Sequence, residues 1–326
     1  MLRRRPLGLL LAAGLAAAAL AQTATVSVPS RDVLDTPALQ TRLADRGLLN
    51  ALARAGDRIV AAGQRGHILL SDDGGRTWQQ AEVPVSSDLV ALHFPTPQLG
   101  WAVGHDGVIL HTLDGGKKWA KQRDGRPDAA DIPLLDVWFA DAFSGYAVGA
   151  FGVVLRTTDG GLHWEPLAKD SIDNPKGLHV YAVRGIAGSV YMAGEQGLLL
   201  KLDAASGRFV KQTTPYEGTL FGVMGNDKAV VAYGLRGNAV RSADAGASWQ
   251  AIKTGIPSGL TAGAVDASGR FLLAGQAGQL LASADDGANF KALAVQRPLP
   301  AAALLPAGPA AVLVAGPRGV QLQMLP

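Results

Sequence analysis

The sequence predicts an all-β chain folded as a seven-bladed β-propeller, and three observations predict it. One phrase recurs through the chain, its first glycine falling at 63, 104, 149, 194, 234, 275 and 316, so the interval stays between 40 and 45 residues. Each copy consists of short apolar stretches separated by turn residues, with a G-x-x-G near its middle. Five copies also carry an aspartate at the same station in a second turn. A period of this length, built from short strands, corresponds to one small sheet per repeat around a common axis.

The first element from the N-terminus is a leader. MLRRRP is cationic, LGLLLAAGLAAAAL is apolar, and Ala19-Leu20-Ala21 has the small-residue pattern of a cleavage site. Residues 1–21 therefore read as a secretory signal peptide, with an apolar run too short to span a bilayer. Of the 30 Lys and Arg residues, Arg3, Arg4 and Arg5 lie in this leader, leaving 27 against 27 Asp and Glu. A neutral mature chain gives no reason to expect nucleic acid or an anionic membrane as a partner. The absence of cysteine excludes disulfides, thiolate metal sites and a cysteine nucleophile. No later stretch is long and apolar enough to span a membrane. The mature protein is expected in the periplasm, or an equivalent lumen, as a monomer. Residues 22–326 are expected to form a single propeller, with 22–47 completing the last blade.

Four strands are expected in each repeat. The first is apolar and innermost, as at 89–94 and 134–139. The second lies at 101–103 or 146–148 and the third at 108–111 or 153–157. The G-x-x-G between them suits a tight hairpin whose last glycine takes positive φ. The fourth strand is expected to begin at the aromatic residue that ends the repeat. The seventh copy, 312–325, stops after its third strand. The N-terminal segment is therefore expected to supply a fourth, at 37–43 by spacing or 23–28 by strand propensity, which would close the ring and remove an open edge.

The second turn begins with SDDGGRTW, where Ser71, Asp73, Gly75, Thr77 and Trp78 fill S-x-D-x-G-x-T-W. Asp114 with Trp119, Asp159 with Trp164, Asp244 with Trp249, and Asp285 occupy the same stations. A short aspartate accepts hydrogen bonds from the amides that follow it, the glycine allows the bend, and the tryptophan fills the wedge between blades. Five copies in one ring mark architecture and not a single active site. The D-x-[DN]-x-[DN]-G spacing of a calcium loop is absent, and no metal or cofactor is expected. This pattern resembles the Asp-box, or BNR repeat, of sialidase-type propellers. The longer phrase G-[WY]-A-V-G-x-x-G-x-[IV]-L-x-T-x-D-G-G-x-x-W, at 100–119 and 145–164, resembles the photosystem II stability/assembly factor family of seven-bladed lumenal and periplasmic proteins. The resemblance covers about residues 48–326. Blade four departs from it, with an extra residue and Phe209 in place of the Trp. The resemblance implies a non-enzymatic scaffold or assembly factor. Its partner would be a membrane protein or envelope complex, of a photosystem or, as for some relatives outside photosynthesis, of an exporter.

Strand order places the G-x-x-G turns around one mouth of the central channel and the aspartate turns around the other. The variable pairs of the first set include Gln64-Arg65, His105-Asp106, Leu235-Arg236 and Pro317-Arg318. Arg65, Arg236 and Arg318 share one register, and blades seven and one become neighbours on closure. In the resembled family a basic surface is implicated in partner binding, so the candidate partner-binding residues are Arg65, Arg236 and Arg318, with Gln64, His105 and Asp106. The innermost strands direct Asn50, Arg54, His93, Asp136, Trp138, His179 and Tyr181 toward the channel. His93 and His179 are not at metal-ligand spacing.

The competing reading is a sialidase-like or other glycan-binding or glycoside-hydrolysing propeller. The sialidase resemblance would require an arginine triad, a Tyr nucleophile with a Glu partner, and an acid/base. The R-I-P ahead of the first aspartate turn is missing, and Glu82, Glu165, Glu195 and Glu217 are the only glutamates. Tyr216 and Glu217 are adjacent in sequence, which is not the pairing through space that the chemistry needs. Glycosidases in general need two carboxylates flanking one bond. Asp88, Asp106 and Asp136 lie near the channel mouth, but nothing singles out a pair. No catalytic residue is assigned.

Overall fold

A computed structural model describes residues 32–126, 132–295 and 297–326. The signal-peptide reading of 1–21 and the strand candidate at 23–28 lie outside the described residues. Residues 32–326 form one compact unit of seven sheets, each an antiparallel meander of strands consecutive in the chain. Blade one has Leu49–Ala55, Arg58–Gly63, Ile68–Ser71 and Gln79–Gln80. The same order recurs from innermost strands Leu89–His93, Leu134–Phe139, Val180–Ile186, Leu220–Gly225, Leu260–Val265 and Ala303–Pro306. The fourth strands start one residue after the repeat's aromatic, at Gln79, Ala120, Glu165 and Gln250.

The core lies between blades. The second strands carry small and β-branched residues, such as Ala61 and Ala62 in blade one or Val231 and Ala232 in blade five, and are buried along nearly all of their length. Sheets flat enough to stack on both faces leave a wedge that widens outward, and the repeat's terminal aromatic fills it by reaching back to the preceding blade. Trp78 packs with Ala303, Ala315 and Val320 of blade seven, Trp119 with Val60 and Leu70 of blade one, and Trp249 with Tyr191 of blade four. In blade four the departure from the pattern becomes a plain hairpin, Leu199–Asp203 with Arg208–Lys211. Phe209 takes the wedge there, edge-on to Tyr146 at 5.4 Å between ring centroids.

Of the two expected closing segments, only 37–43 falls within the described residues, and it does not close the ring as a strand. Among the described residues blade seven has three strands, Ala303–Pro306, Ala311–Gly316 and Gly319–Met324. The segment 37–43 is not its fourth strand. It lies along blade one, where Ala38 N–H donates to Val83 O (3.0 Å), Thr41 N–H to Gln80 Oε1 (3.0 Å), and Gln80 Nε2 to Leu39 O (2.9 Å). Leu34 and Ala38 bury themselves among blade-one and blade-two residues, while Leu39 and Leu43 stay exposed. Asp35 meets Lys121 at 3.1 Å and Arg126 at 2.7 Å, and these cations hold its carboxyl down at about 2. Among the described residues the ring is joined by the innermost strands of blades one and seven lying side by side and by a short 3-10 turn, Ala44–Arg46. The carbonyl of Asp45 lies so close to Gly319 that a Cβ there would sit 1.9 Å from it.

Candidate partner-binding face

Each G-x-x-G turn is clamped between two blade-to-blade links. A Cβ on the first glycine would meet the incoming link's carbonyl: Leu48 O at 2.1 Å from Gly63, or Thr219 O at 2.0 Å from Gly234. The next residue's N–H donates to that carbonyl, as Gln64 to Leu48 (3.0 Å) and Leu235 to Thr219 (2.9 Å). The last glycine abuts the outgoing link, Gly237 against Ile256 O at 1.9 Å. Its φ of +70° fits the expected turn. The structure adds that the residue before it is also left-handed in five blades: Arg65, Asp106, Phe151, Gln196 and Arg236 have φ between 50 and 57°. Such backbone is costly for a residue with a Cβ, and it fixes these five side chains on rigid turns. Blade seven departs, since Pro317 has no N–H to give its link.

The structure places the sequence candidates as follows. Arg65, Arg236 and Arg318 are exposed, and among the described residues none of their side chains makes a hydrogen bond or ion pair. Arg65 and Arg318 stand on turns of adjacent blades, and Arg236 stands on blade five. His105 is exposed, while Gln64 is half-buried with its amide over Gly47. Asp106 is committed internally, since it accepts from Ser87 Oγ at 2.5 Å. Asp88 accepts the Arg65 N–H at 2.7 Å.

The channel below this face holds a cavity of about 200 Å³ lined by residues that include Asn50, Asp136, Tyr181, Arg184 and Phe221. A bulge at the second position of the innermost strands, between Leu49 and Ala51, Val180 and Ala182, and Leu220 and Gly222, accompanies the lining residues Asn50, Tyr181 and Phe221. Asp136 is buried; it accepts from Val137 N–H (2.9 Å) and Val183 N–H (2.8 Å) and pairs with Arg184, tying blade three to blade four. Burial pushes its carboxyl up, against the pull of Arg184 and the two amides. His93 is half-buried near Arg184, and desolvation together with that cation holds its imidazole down at about 3, so Nδ1 accepts the Phe139 N–H (3.1 Å). Trp138 turns out of the channel into the wedge between blades three and four. Arg54 donates to Pro306 O at 2.7 Å.

Sequence reasoning missed an aromatic row on the G-x-x-G face. Phe151, exposed in its left-handed turn, meets His179 edge-on at 4.9 Å; His179 faces Tyr181 at 6.2 Å and Tyr181 faces Phe221 at 5.6 Å. The backbone of His179 is held by Glu195, whose carboxylate accepts the His179 amide N–H at 2.9 Å. The signal was present, since the Phe in A-F-G stands where the other four left-handed turns carry polar residues, but the row needs three blades to come together.

The opposite face carries the aspartate turns, and their geometry is uniform. Ser71 Oγ donates to Asp73 Oδ1 (2.8 Å) and accepts the Gly75 N–H (2.8 Å), while Asp73 accepts the N–H groups of Arg76 and Thr77 (both 2.9 Å). Ser242 with Asp244 and Ser283 with Asp285 repeat it. Thr112 with Asp114 and Thr157 with Asp159 do so with threonine. These carboxylates are saturated by their own turns. Of the carboxylates expected near the channel, Asp136 is held by two amides and Arg184, and Asp88 and Asp106 each accept a hydrogen bond within the fold, while Tyr216 gives its hydroxyl to Leu235 O (3.0 Å). No carboxylate pair faces an open site among the described residues.

Seven meandering sheets, fastened by five aspartate turns and clamped at each G-x-x-G, define a seven-bladed repeat propeller with one rigid face of variable turns. The family model for photosynthesis system II assembly factor YCF48 matches residues 18–111, 76–132 and 128–272, and the chain belongs to that family. It is 33% identical over 66 residues to the photosystem II assembly lipoprotein Ycf48 of Synechocystis sp., a match that covers 20% of this chain and 19% of that protein. The matched stretch thus spans about a fifth of that relative. A solved structure of YCF48 bound to a D1 peptide superposes with a TM-score of 0.67 at 17% identity, covering 89% of this chain and 99% of that one. Virginiamycin B lyase from Staphylococcus aureus superposes as well, with a TM-score of 0.70 at 12% identity over 89% of this chain and 98% of that one. The fold therefore does not separate scaffolds from enzymes, and function rests on the site.

Proposed function

We propose that this protein is a non-enzymatic scaffold that binds a membrane-protein partner during its assembly, through the face carrying the G-x-x-G turns. The observation that carries the reading is the contrast between the two faces. On one, repeated side chains are consumed by their own turns. On the other, Arg65, Arg236 and Arg318 project from clamped backbone with no described partner of their own. Rigid turns that present unpaired cations reduce the ordering cost of binding and steer an acidic partner. Family membership supports the reading, as does a relative whose solved structure holds a D1 peptide. The leader pattern read at residues 1–21 supports a periplasmic or lumenal location. No helix among the described residues is long and apolar enough to cross a membrane. That no free carboxylate pair faces an open site among the described residues weighs against the glycoside-hydrolase alternative.

The test is co-purification from detergent-solubilised membranes of the source organism. Arg65→Glu, Arg236→Glu and Arg318→Glu together should lower recovery of a defined membrane-protein partner at least about tenfold. Lys253→Glu with Lys291→Glu, on exposed outer strands, should not. Equal recovery from both variants would remove the arginine face from the account.

A further inference from the structure

We infer that the aromatic row Phe151–His179–Tyr181–Phe221 is the anchor of a peptide groove, and that its occupant is an extended segment combining aromatic or aliphatic side chains with Asp or Glu. The inference rests on the reading above that this face binds a partner, and it adds the residues and the ligand chemistry. Phe151 pays twice for its position: its φ is 54°, and its side chain remains 67% exposed. Asn or Gly would relieve both costs at no loss to the fold. Phe151 is thus an apolar side chain held out on strained backbone, a combination found at binding surfaces.

The row runs from the rim of blade three, through the link into blade four, to the lining of the channel at blade five. Leu235, exposed in the blade-five turn, continues it. Charge complementarity selects the occupant. Three acids of this face are engaged within the fold, Glu195 by the His179 backbone N–H, Asp88 by the Arg65 N–H and Asp106 by Ser87, which leaves the exposed Glu217 of the blade-five link as one acid against the three arginines. Its arginines are not engaged. A bound segment finds apolar faces along the row and cations at the rim, so carboxylates are favoured and Lys or Arg disfavoured. An extended chain suits a row that spans three blades, with alternate side chains directed to it.

The experiment is selection of random dodecapeptides on the immobilised full-length mature protein, with thermal melting and gel filtration of each variant. Selected sequences should combine Phe, Tyr, Trp or Leu with Asp or Glu. A synthetic peptide of the consensus should bind at least about tenfold more weakly to Phe151→Asn, and likewise to Phe221→Thr. Phe151→Asn should melt no lower than the parent, and Phe151→Trp should bind as well as it. Selection that yields nothing above a bare surface, or that yields basic peptides, would overturn the inference. Binding kept by both aromatic variants but lost on arginine reversal would also overturn it, while leaving the face reading intact. Binding indifferent to every variant would overturn both. A dimer in the parent that Phe151→Asn dissociates would assign the row to self-association instead.

Discussion

Ser242 and Asp244 show what one aspartate turn contributes. The serine hydroxyl is buried, donates to the carboxylate at 2.7 Å and accepts the Gly246 N–H at 2.7 Å. Ser242→Ala leaves that amide buried and unpaired, and should cost about 1–2 kcal/mol in denaturant unfolding. The hydroxyl and amide of Ser248, with Ser242, hold the Asp244 carboxyl down at about 2, below its ordinary 3.8. A carboxyl with a depressed folded-state pKa stabilises fully above 3.8 and loses that contribution as pH falls toward 2. Asp159 is held at about 2 in the same way. Acid should therefore weaken the fold over that window, and Asp244→Asn should flatten the slope of stability against pH there; an unchanged slope would mean that the turn does not hold its charge. Glycines give a sharper contrast at this scale. Gly234→Ala drives a Cβ into Thr219 O, whereas Gly74 has nothing within 4 Å of its Cβ position and bears only a left-handed φ of 78°. Gly74→Ala should cost about 1 kcal/mol, and Gly234→Ala distinctly more.

At the scale of elements, the wedge aromatics are the fasteners, and they are not equivalent. Trp119 donates its indole N–H to Gly116 O at 2.9 Å, while the Trp249 Nε1 is buried with no hydrogen-bond partner. Replacing each by Phe removes similar volume, but only Trp119→Phe also breaks a hydrogen bond. Trp119→Phe should be the more destabilising by about 1 kcal/mol, read from paired thermal melts; the reverse order would show that the wedge counts only volume. The positions of these elements were legible because one interval of 40–45 residues repeats and each turn type has its own residues. Blade four was readable as an exception because Asp203 and Phe209 sit at altered spacing. The segment 37–43 was misplaced because counting back from the repeat assumed a strand, and the pairing of Gln80 with 39–41 is a tertiary fact that no local pattern carries. The arginines were legible as a shared register. The aromatic row was not, since Phe151, His179 and Phe221 belong to three separate blades.

For the whole molecule, closure and face are the two global properties. The ring is completed without a fourth strand in blade seven among the described residues. Asp45 wedges onto Gly319, and 32–41 is stapled across blades one and two. A chain that begins at Leu48 should lose at least about 5 °C in melting temperature, since buried Leu34 and Ala38 and the Asp35 ion pairs go with the segment. An unshifted melt would mean that blades one and seven close the ring unaided. The two faces then divide the work, with fixed turns on one side and presented side chains on the other. The most direct measurement of that division is site-specific photocrosslinking in the native envelope. A photoreactive residue at Gln196, on the rim of the G-x-x-G face, is compared with one at Leu162 in a turn of the opposite face. The account predicts a crosslinked membrane-protein partner from position 196 and none from 162; crosslinking from 162 alone, or equally from both, would contradict it.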